Sequence, residues 1–229
     1  MKRQARPQRL LRAFHALLWK DYMLDYRSPL GLTTQLLFSL SSGILAGIAY
    51  RSGAWPVEAL LPVGVGIVLV FISVFQAYAT FLREREQGTL DAVRLLPAGA
   101  GLVYLEKTLY SYTWISLFTI LYALSYLFFA GWNTGTSLQD LTVWILVVSL
   151  AMASLSSLAS ALLVYSTGYT TLAPMIVIIL ALPLLHALLP ALAAVSQGLS
   201  PEPGWTSLAL AFSLGLVLVG AALTSTALE

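Results

Sequence analysis

Apolar residues along this chain do not recur in the narrow stripes of a water-soluble helix bundle. They fill long runs, and six are long enough to cross a bilayer: about 32–50, 59–82, 108–130, 141–163, 172–195 and 206–228. A helix needs about 20 residues to span a hydrocarbon core roughly 30 Å thick. The pattern predicts an all-α integral membrane protein of six transmembrane helices, with residues 1–229 as a single transmembrane domain. Residues 9–27 read differently. Leu10, Leu11, Phe14, Leu17 and Leu18 recur at helical spacing, with Arg9, Arg12, His15 and Lys20 interleaved and Trp19, Tyr22 and Tyr26 towards the end. Such a helix lies along a membrane surface rather than crossing it. It serves as an anchor or, on a sharper reading, also touches a cytoplasmic partner. Ser28-Pro29 ends it, because the residue before proline disfavours the α conformation.

The polar positions give orientation. Eleven of the twelve Lys and Arg lie in the first 27 residues or between Arg83 and Lys107, with Arg51 the only other. Cytoplasmic segments collect Lys and Arg, so residues 83–107 and 164–171 are expected inside, and 51–58, 131–140 and 196–205 outside. Both termini are then cytoplasmic. Trp55, Trp132 and Trp205 each sit beside a different outer loop, as an aromatic belt requires. The outer loops are too short to form an external domain.

Composition narrows the class further. Hydrophobic residues make up 59% of the chain and charged residues 10%, against about 25% charged in soluble domains. The net charge of +2, gathered near the membrane, suits anionic lipid head groups rather than nucleic acid. The absence of cysteine excludes disulfides, thiol catalysis and thiolate metal ligation. The amino end is basic, but the first long apolar run starts near Leu32, too far in for a secretory signal.

Three features inside the spans invite a functional reading. Ser39, Gly43 and Gly47, and Ser149, Ala153, Ser157 and Ala161, are spaced four apart, which lets helices pack closely in lipid. The stretch from Ser154 to Ser160 either packs in this way or lines a path for a polar substrate. Pro174, Pro183 and Pro190 lie in the fifth span, and prolines remove backbone donors, so a bent or re-entrant segment is expected near Pro183 to Ala194. His186 is an ionisable residue at membrane depth and hence a candidate haem ligand; the commoner role of a lone neutral histidine is hydrogen-bonded structure. An intramembrane serine protease does not fit, since no Gly-x-Ser-Gly pattern accompanies the serines. No metal site and no catalytic residue is expected.

The inner connection carries the most specific signal. It reads Arg83-Glu84-Arg85-Glu86-Gln87-Gly88-Thr89-Leu90-Asp91-Ala92-Val93-Arg94-Leu95-Leu96-Pro97. Gly88 can end the helix leaving the second span, and Thr89 is a good N-cap for another. Asp91 near its start and Arg94 near its end suit the helix dipole. Pro97 stops it after about two turns, roughly 10 Å. Leu90, Val93 and Leu95 or Leu96 are then apolar positions in need of a cover.

Glu-Arg-Glu-Gln-Gly-Thr-Leu-Asp followed by Leu-Leu-Pro resembles the signature of ABC-2-type permeases, in which it forms a coupling helix docked on a separate ATPase. Within that superfamily the chain resembles the B-subunit family of the haem exporter for cytochrome c maturation, CcmB. Lys20-Asp21-Tyr22 through Tyr26-Arg27-Ser28, Phe75 to Lys107, and Leu180 to Ala194 carry that likeness. It departs from such permeases at Glu106, where glycine is frequent, and in lacking basic residues over 164–171. The resemblance implies a homodimeric permease in a bacterial inner membrane, itself without ATPase activity or a bound cofactor. It further implies an ATPase subunit (CcmA-like), a haem-handling membrane protein (CcmC-like), a small helper (CcmD-like) and a periplasmic haem chaperone (CcmE-like). ATP acts through the partner, and haem is the implied cargo or the load on the chaperone; a drug, lipid or glycan exporter is the alternative. Glu84, Glu86, Gly88, Thr89, Leu90, Asp91, Val93, Arg94 and Pro97 are the expected ATPase-facing positions, with Lys20, Asp21 and Arg27 as a secondary interface. The chain contains no G-x-x-x-x-G-K-[ST] phosphate loop, so ATP hydrolysis must come from another polypeptide.

Overall fold

A computed structural model describes residues 7–53, 57–89, 99–131, 137–163, 172–199 and 203–228. Among these, every regular element is helical. In chain order they are α1 (Pro7–Arg27), α2 (Leu30–Ser52), α3 (Val57–Ala77), a π-turn (Tyr78–Leu82), α4 (Arg83–Glu86), α5 (Ala100–Ala130), α6 (Leu138–Leu163), α7 (Leu172–Ser196) and α8 (Pro203–Leu228).

Five stretches are long and apolar enough to cross a membrane: Leu30–Ser52, Leu60–Glu86, Ala100–Ala130, Leu138–Leu163 and Leu172–Ser196. In α8 the apolar stretch among described residues, Ser207–Leu223, is shorter. The chain is a multi-pass membrane protein. Its surface bears this out: Leu45, Ile67, Phe128, Ile179 and Leu218 are all exposed, an outer face that lipid rather than water would cover.

α5 and α6 form the centre. α5 packs against α1, α2, α3, α6 and α8, and α6 against α3, α5, α7 and α8. Ile115, Phe118, Tyr122 and Tyr126 of α5 meet Trp144, Ile145, Val148 and Met152 of α6 in one continuous core. The small-residue stripe of α2 faces this centre. A Cβ on Gly43 would stand 2.7 Å from the Tyr122 carbonyl oxygen, and one on Gly47 2.7 Å from the Phe129 Cβ. Two helices are therefore in backbone contact where lipid provides no hydrophobic drive, and dispersion does the work. Gln76 of α3 donates a 3.1 Å hydrogen bond to the buried Gln35 side chain of α2.

The serines of α6 are interior. Ser149, Ser154, Ser156, Ser157 and Ser160 are all fully buried, and Ser154 and Ser156 donate to carbonyls three and four residues back. That arrangement fits close packing. The fifth apolar run differs from expectation: α7 continues through both Pro183 and Pro190 without interruption, so no re-entrant break occurs there. Each proline removes one donor, but the rest of the ladder persists in surroundings without competing water.

Candidate functional site

The charged residues gather at the end of the bundle that holds α1, α4 and the start of α5. α5 is 31 residues long, roughly 46 Å at 1.5 Å per residue, against about 30 Å of hydrocarbon. It begins eight residues before the predicted start of the third span, so its first turns have length to spare. Glu106 and Lys107 lie there.

Lys107 is completely buried. Its Nζ lies 2.5 Å from Asp21 Oδ2 on α1 and 2.6 Å from Glu84 Oε1 on α4. Lys20 reaches the same Glu84 oxygen at 2.5 Å. Arg83 donates to Asp25 Oδ1 at 2.7 Å, and the Tyr110 hydroxyl donates to the other Asp25 oxygen. The Arg83 guanidinium also lies 5.9 Å from the centre of the Tyr110 ring. Tyr22 completes the seam, its ring 5.5 Å from Tyr110 and 5.9 Å from Trp114. Three helices that are remote in sequence are thereby tied by buried ion pairs.

α1 is built for this role. Leu17, Asp21 and Asp25 are spaced four apart and face inward, while Leu11, Trp19 and Tyr26 are exposed. Its carboxylates and Tyr22 point into the protein, while Trp19 and Tyr26 point out. Burying ions is costly unless each is paired, and here Asp21, Asp25 and Glu84 all are. Glu106 is the exception: it is fully buried, and its carboxylate makes no hydrogen bond, with Lys107 Nζ 4.0 Å away.

The segment leading from α3 into this cluster is not a plain α-helix. At the π-turn the Arg83 N–H bonds the Tyr78 carbonyl, five residues back. Thr80 leaves helical geometry at ψ −113. The Phe81 N–H donates instead to Ser160 Oγ of α6 at 3.1 Å, and the Thr80 hydroxyl donates to the Ala77 carbonyl. Both ends of one missing helical hydrogen bond are thus satisfied by hydroxyl groups, as burial demands.

α4 ends in a double-bonded cap. Gly88 has φ +67. Its N–H bonds the Arg85 carbonyl at 3.1 Å, and the Thr89 N–H bonds the Glu84 carbonyl at 2.9 Å. This is the Schellman pattern, in which a left-handed glycine closes the last turn. The Thr89 hydroxyl also turns back to the Glu84 carbonyl.

Of the expected ATPase-facing residues, Glu86, Gly88 and Thr89 lie on this exposed cap, and Glu86 accepts a hydrogen bond from Tyr78. Glu84 is buried in the ionic cluster. Leu90, Asp91, Val93, Arg94 and Pro97 lie outside the described residues, as does the helix expected there. Among the secondary candidates, Lys20 and Asp21 join the cluster, and Arg27 is exposed at the end of α1. Inner loop 164–171 lies outside the described residues, as do Trp55 and Trp132; Trp205 is exposed on α8. Sequence reasoning missed Lys107, Asp25, Arg83 and Tyr110 as a group. The available signal was the run of inward acidic positions on an otherwise basic helix.

His186 is on the outer face of α7. It borders an apolar groove of about 680 Å³ between α3 and α7, lined also by Val70, Phe71, Leu182 and Leu189. Phe38 of α2 closes one edge, stacked on Phe71 at 3.8 Å between ring centres. No group of metal-ligating side chains occurs among the described residues.

The chain is thus a multi-pass helical bundle in which a charged seam ties the amino-terminal helix to the turn at Gly88. The chain belongs to the ABC-2 type transporter family, whose model matches residues 12–183, from within α1 to Pro183 in α7. It is accordingly the membrane subunit of an ABC transporter, and the family implies an ATPase partner. No curated protein matches the chain.

Proposed function

We propose that this permease couples ATP hydrolysis by a separate ATPase subunit to cytochrome c maturation, through haem export or release of the haem-loaded periplasmic chaperone. The observation that carries the coupling half is the buried cluster Lys107–Asp21–Glu84. It makes α1, the turn at Gly88 and the first turns of α5 move as one body, so force arriving at the exposed cap enters the bundle. Two copies of the chain pair with two CcmA-like ATPases in a bacterial inner membrane. CcmC-like, CcmD-like and CcmE-like proteins complete the assembly. The six-span topology, with both termini cytoplasmic and α1 along the inner surface, belongs to the same reading. Residues 89–96 form the lever that the ATPase pushes, rocking the spans between two packings.

The haem half rests on the resemblance of residues 20–28, 75–107 and 180–194 to the CcmB family. Its test is a chromosomal deletion with haem-stained c-type cytochromes as readout: their loss, restored by the wild-type chain and not by Gly88→Val, supports the assignment. Unchanged cytochromes would refute it. His186 is the candidate haem contact, and a haem difference spectrum of His186→Ala against wild type decides that point.

One observation favours a second reading. The groove beside His186 is almost wholly apolar, which suits export of a lipid or an amphipathic drug and disfavours a glycan. Transport of a fluorescent phospholipid by the reconstituted complex, with no effect of deletion on cytochromes, would select it.

A further inference from the structure

The π-turn at Tyr78–Leu82 sets which residues of α4 meet the ionic cluster. A turn closed by a five-residue bond accommodates one residue more than an α-turn, about 100° or one residue's share of a helical turn, and here the two helices also meet across a kink at Thr80. If Phe81 N–H returned to Ala77 and the segment became α-helical, each later residue would advance by that amount. Arg83 would then take the place of Glu84 beside Lys107 and Lys20, and Leu82 would take the place of Arg83 beside Asp25. Three cations would crowd together and Asp25 would lose its partner. The charge pattern of Arg83-Glu84 is therefore matched to the π register.

We propose that Ser160 is a positioning residue for coupling: its hydroxyl, as the acceptor for Phe81 N–H, holds the π-turn and so fixes the rotational register of the segment that ends at Gly88. This inference rests on the coupling role assigned to that segment. Two observations carry it independently of that role. Ser160 is fully buried and supplies the acceptor from another helix, and Thr80 caps the carbonyl that Phe81 abandons. The Ser160 hydroxyl is the one the turn depends on, because a buried orphan N–H at Phe81 would pull the turn back to α geometry.

The test uses the full chain, which has no cysteine, in its complex with the ATPase. Two pairs are introduced: Asp25→Cys with Arg83→Cys, which face each other in the π register, and Asp25→Cys with Leu82→Cys, which face each other in the α register. A short bismaleimide should link 25 to 83 in the otherwise native chain. Ser160→Ala should shift linkage towards 25–82 and lower partner-stimulated ATPase activity about fivefold, the population change that one lost hydrogen bond supports. Ser160→Thr, which keeps a hydroxyl, should retain the native pattern. Deleting Ala79 in the Ser160→Ala background removes the extra residue, so an α-helix restores the register; linkage at 25–83 and ATPase activity should both recover. That rescue is not expected if Ser160 merely fills space. Linkage that stays at 25–83 in Ser160→Ala would overturn the inference. A linkage shift without any change in ATPase activity would leave the register assignment standing and refute the coupling role instead.

Discussion

Lys107 is the residue on which the charged end of the bundle turns. It is inaccessible to water and lies within 2.6 Å of two carboxylates from two other helices. Removing one partner of such a set leaves a buried ion uncompensated, at about 3–5 kcal/mol. Lys107→Met should therefore lower the thermal midpoint in detergent or nanodiscs by an amount reflecting that loss. Combining it with Asp21→Asn should cost less than the sum of the single changes, because the partners are coupled. Additive losses would mean that the ion pair does not hold the helices together. None of this was legible from residue identity. Lys107 counts as one more cytoplasmic cation in the sequence, because its partners stand 86 and 23 positions away. Glu106 did stand out in the sequence as a departure from the family pattern, and the structure buries it beside Lys107.

At the scale of elements, hydrophobic run length located the apolar helices well, since backbone satisfaction in lipid leaves helices as the only option for a chain of this composition. The ends were less legible. α5 starts at Ala100 rather than near Thr108, because the charged residues that mark the end of an apolar run, Glu106 and Lys107, are here buried inside a helix. Of the bent or re-entrant segment expected in α7, the re-entrant form failed for a related reason: proline weakens a helix by one hydrogen bond, and in lipid the remaining ladder has no competitor. Gly88 was legible, because only a residue tolerant of φ +67 closes the cap in this way. The stripe on α2 was also legible as a packing motif, though not its partner. Gly43→Leu should push α2 off α5, since a Cβ there already meets Ser125 and the Tyr122 carbonyl. The expected cost is at least the 1–3 kcal/mol typical of overpacking, read as a lower thermal midpoint. An unchanged midpoint would mean that the two helices do not touch at Gly43.

For the molecule as a whole, the arrangement is a lipid-facing exterior with its polar investment concentrated at one end. That end coincides with the cluster of Lys and Arg in the sequence, so it is expected to face the cytoplasm. Gln87→Cys, exposed beside the cap, should react with a membrane-impermeant maleimide in inverted vesicles and not in intact cells. Labelling from the outside would reverse the topology and, with it, the coupling reading. Function at this scale was only partly legible. The loop signature and the family match agree on an ABC-2 permease, but cargo identity leaves no mark in helix length or charge.

The most direct measurement is the ATPase rate of the reconstituted complex with wild-type chain and with Gly88→Val. Among the described residues a Cβ at Gly88 meets no neighbour, and a β-branched side chain strains the left-handed turn by about 1–2 kcal/mol. The variant should insert into the membrane at wild-type levels and co-purify with the ATPase while its stimulated ATPase rate falls severalfold. A stimulated rate equal to wild type, with insertion and association intact, would contradict the claim that force enters through this turn.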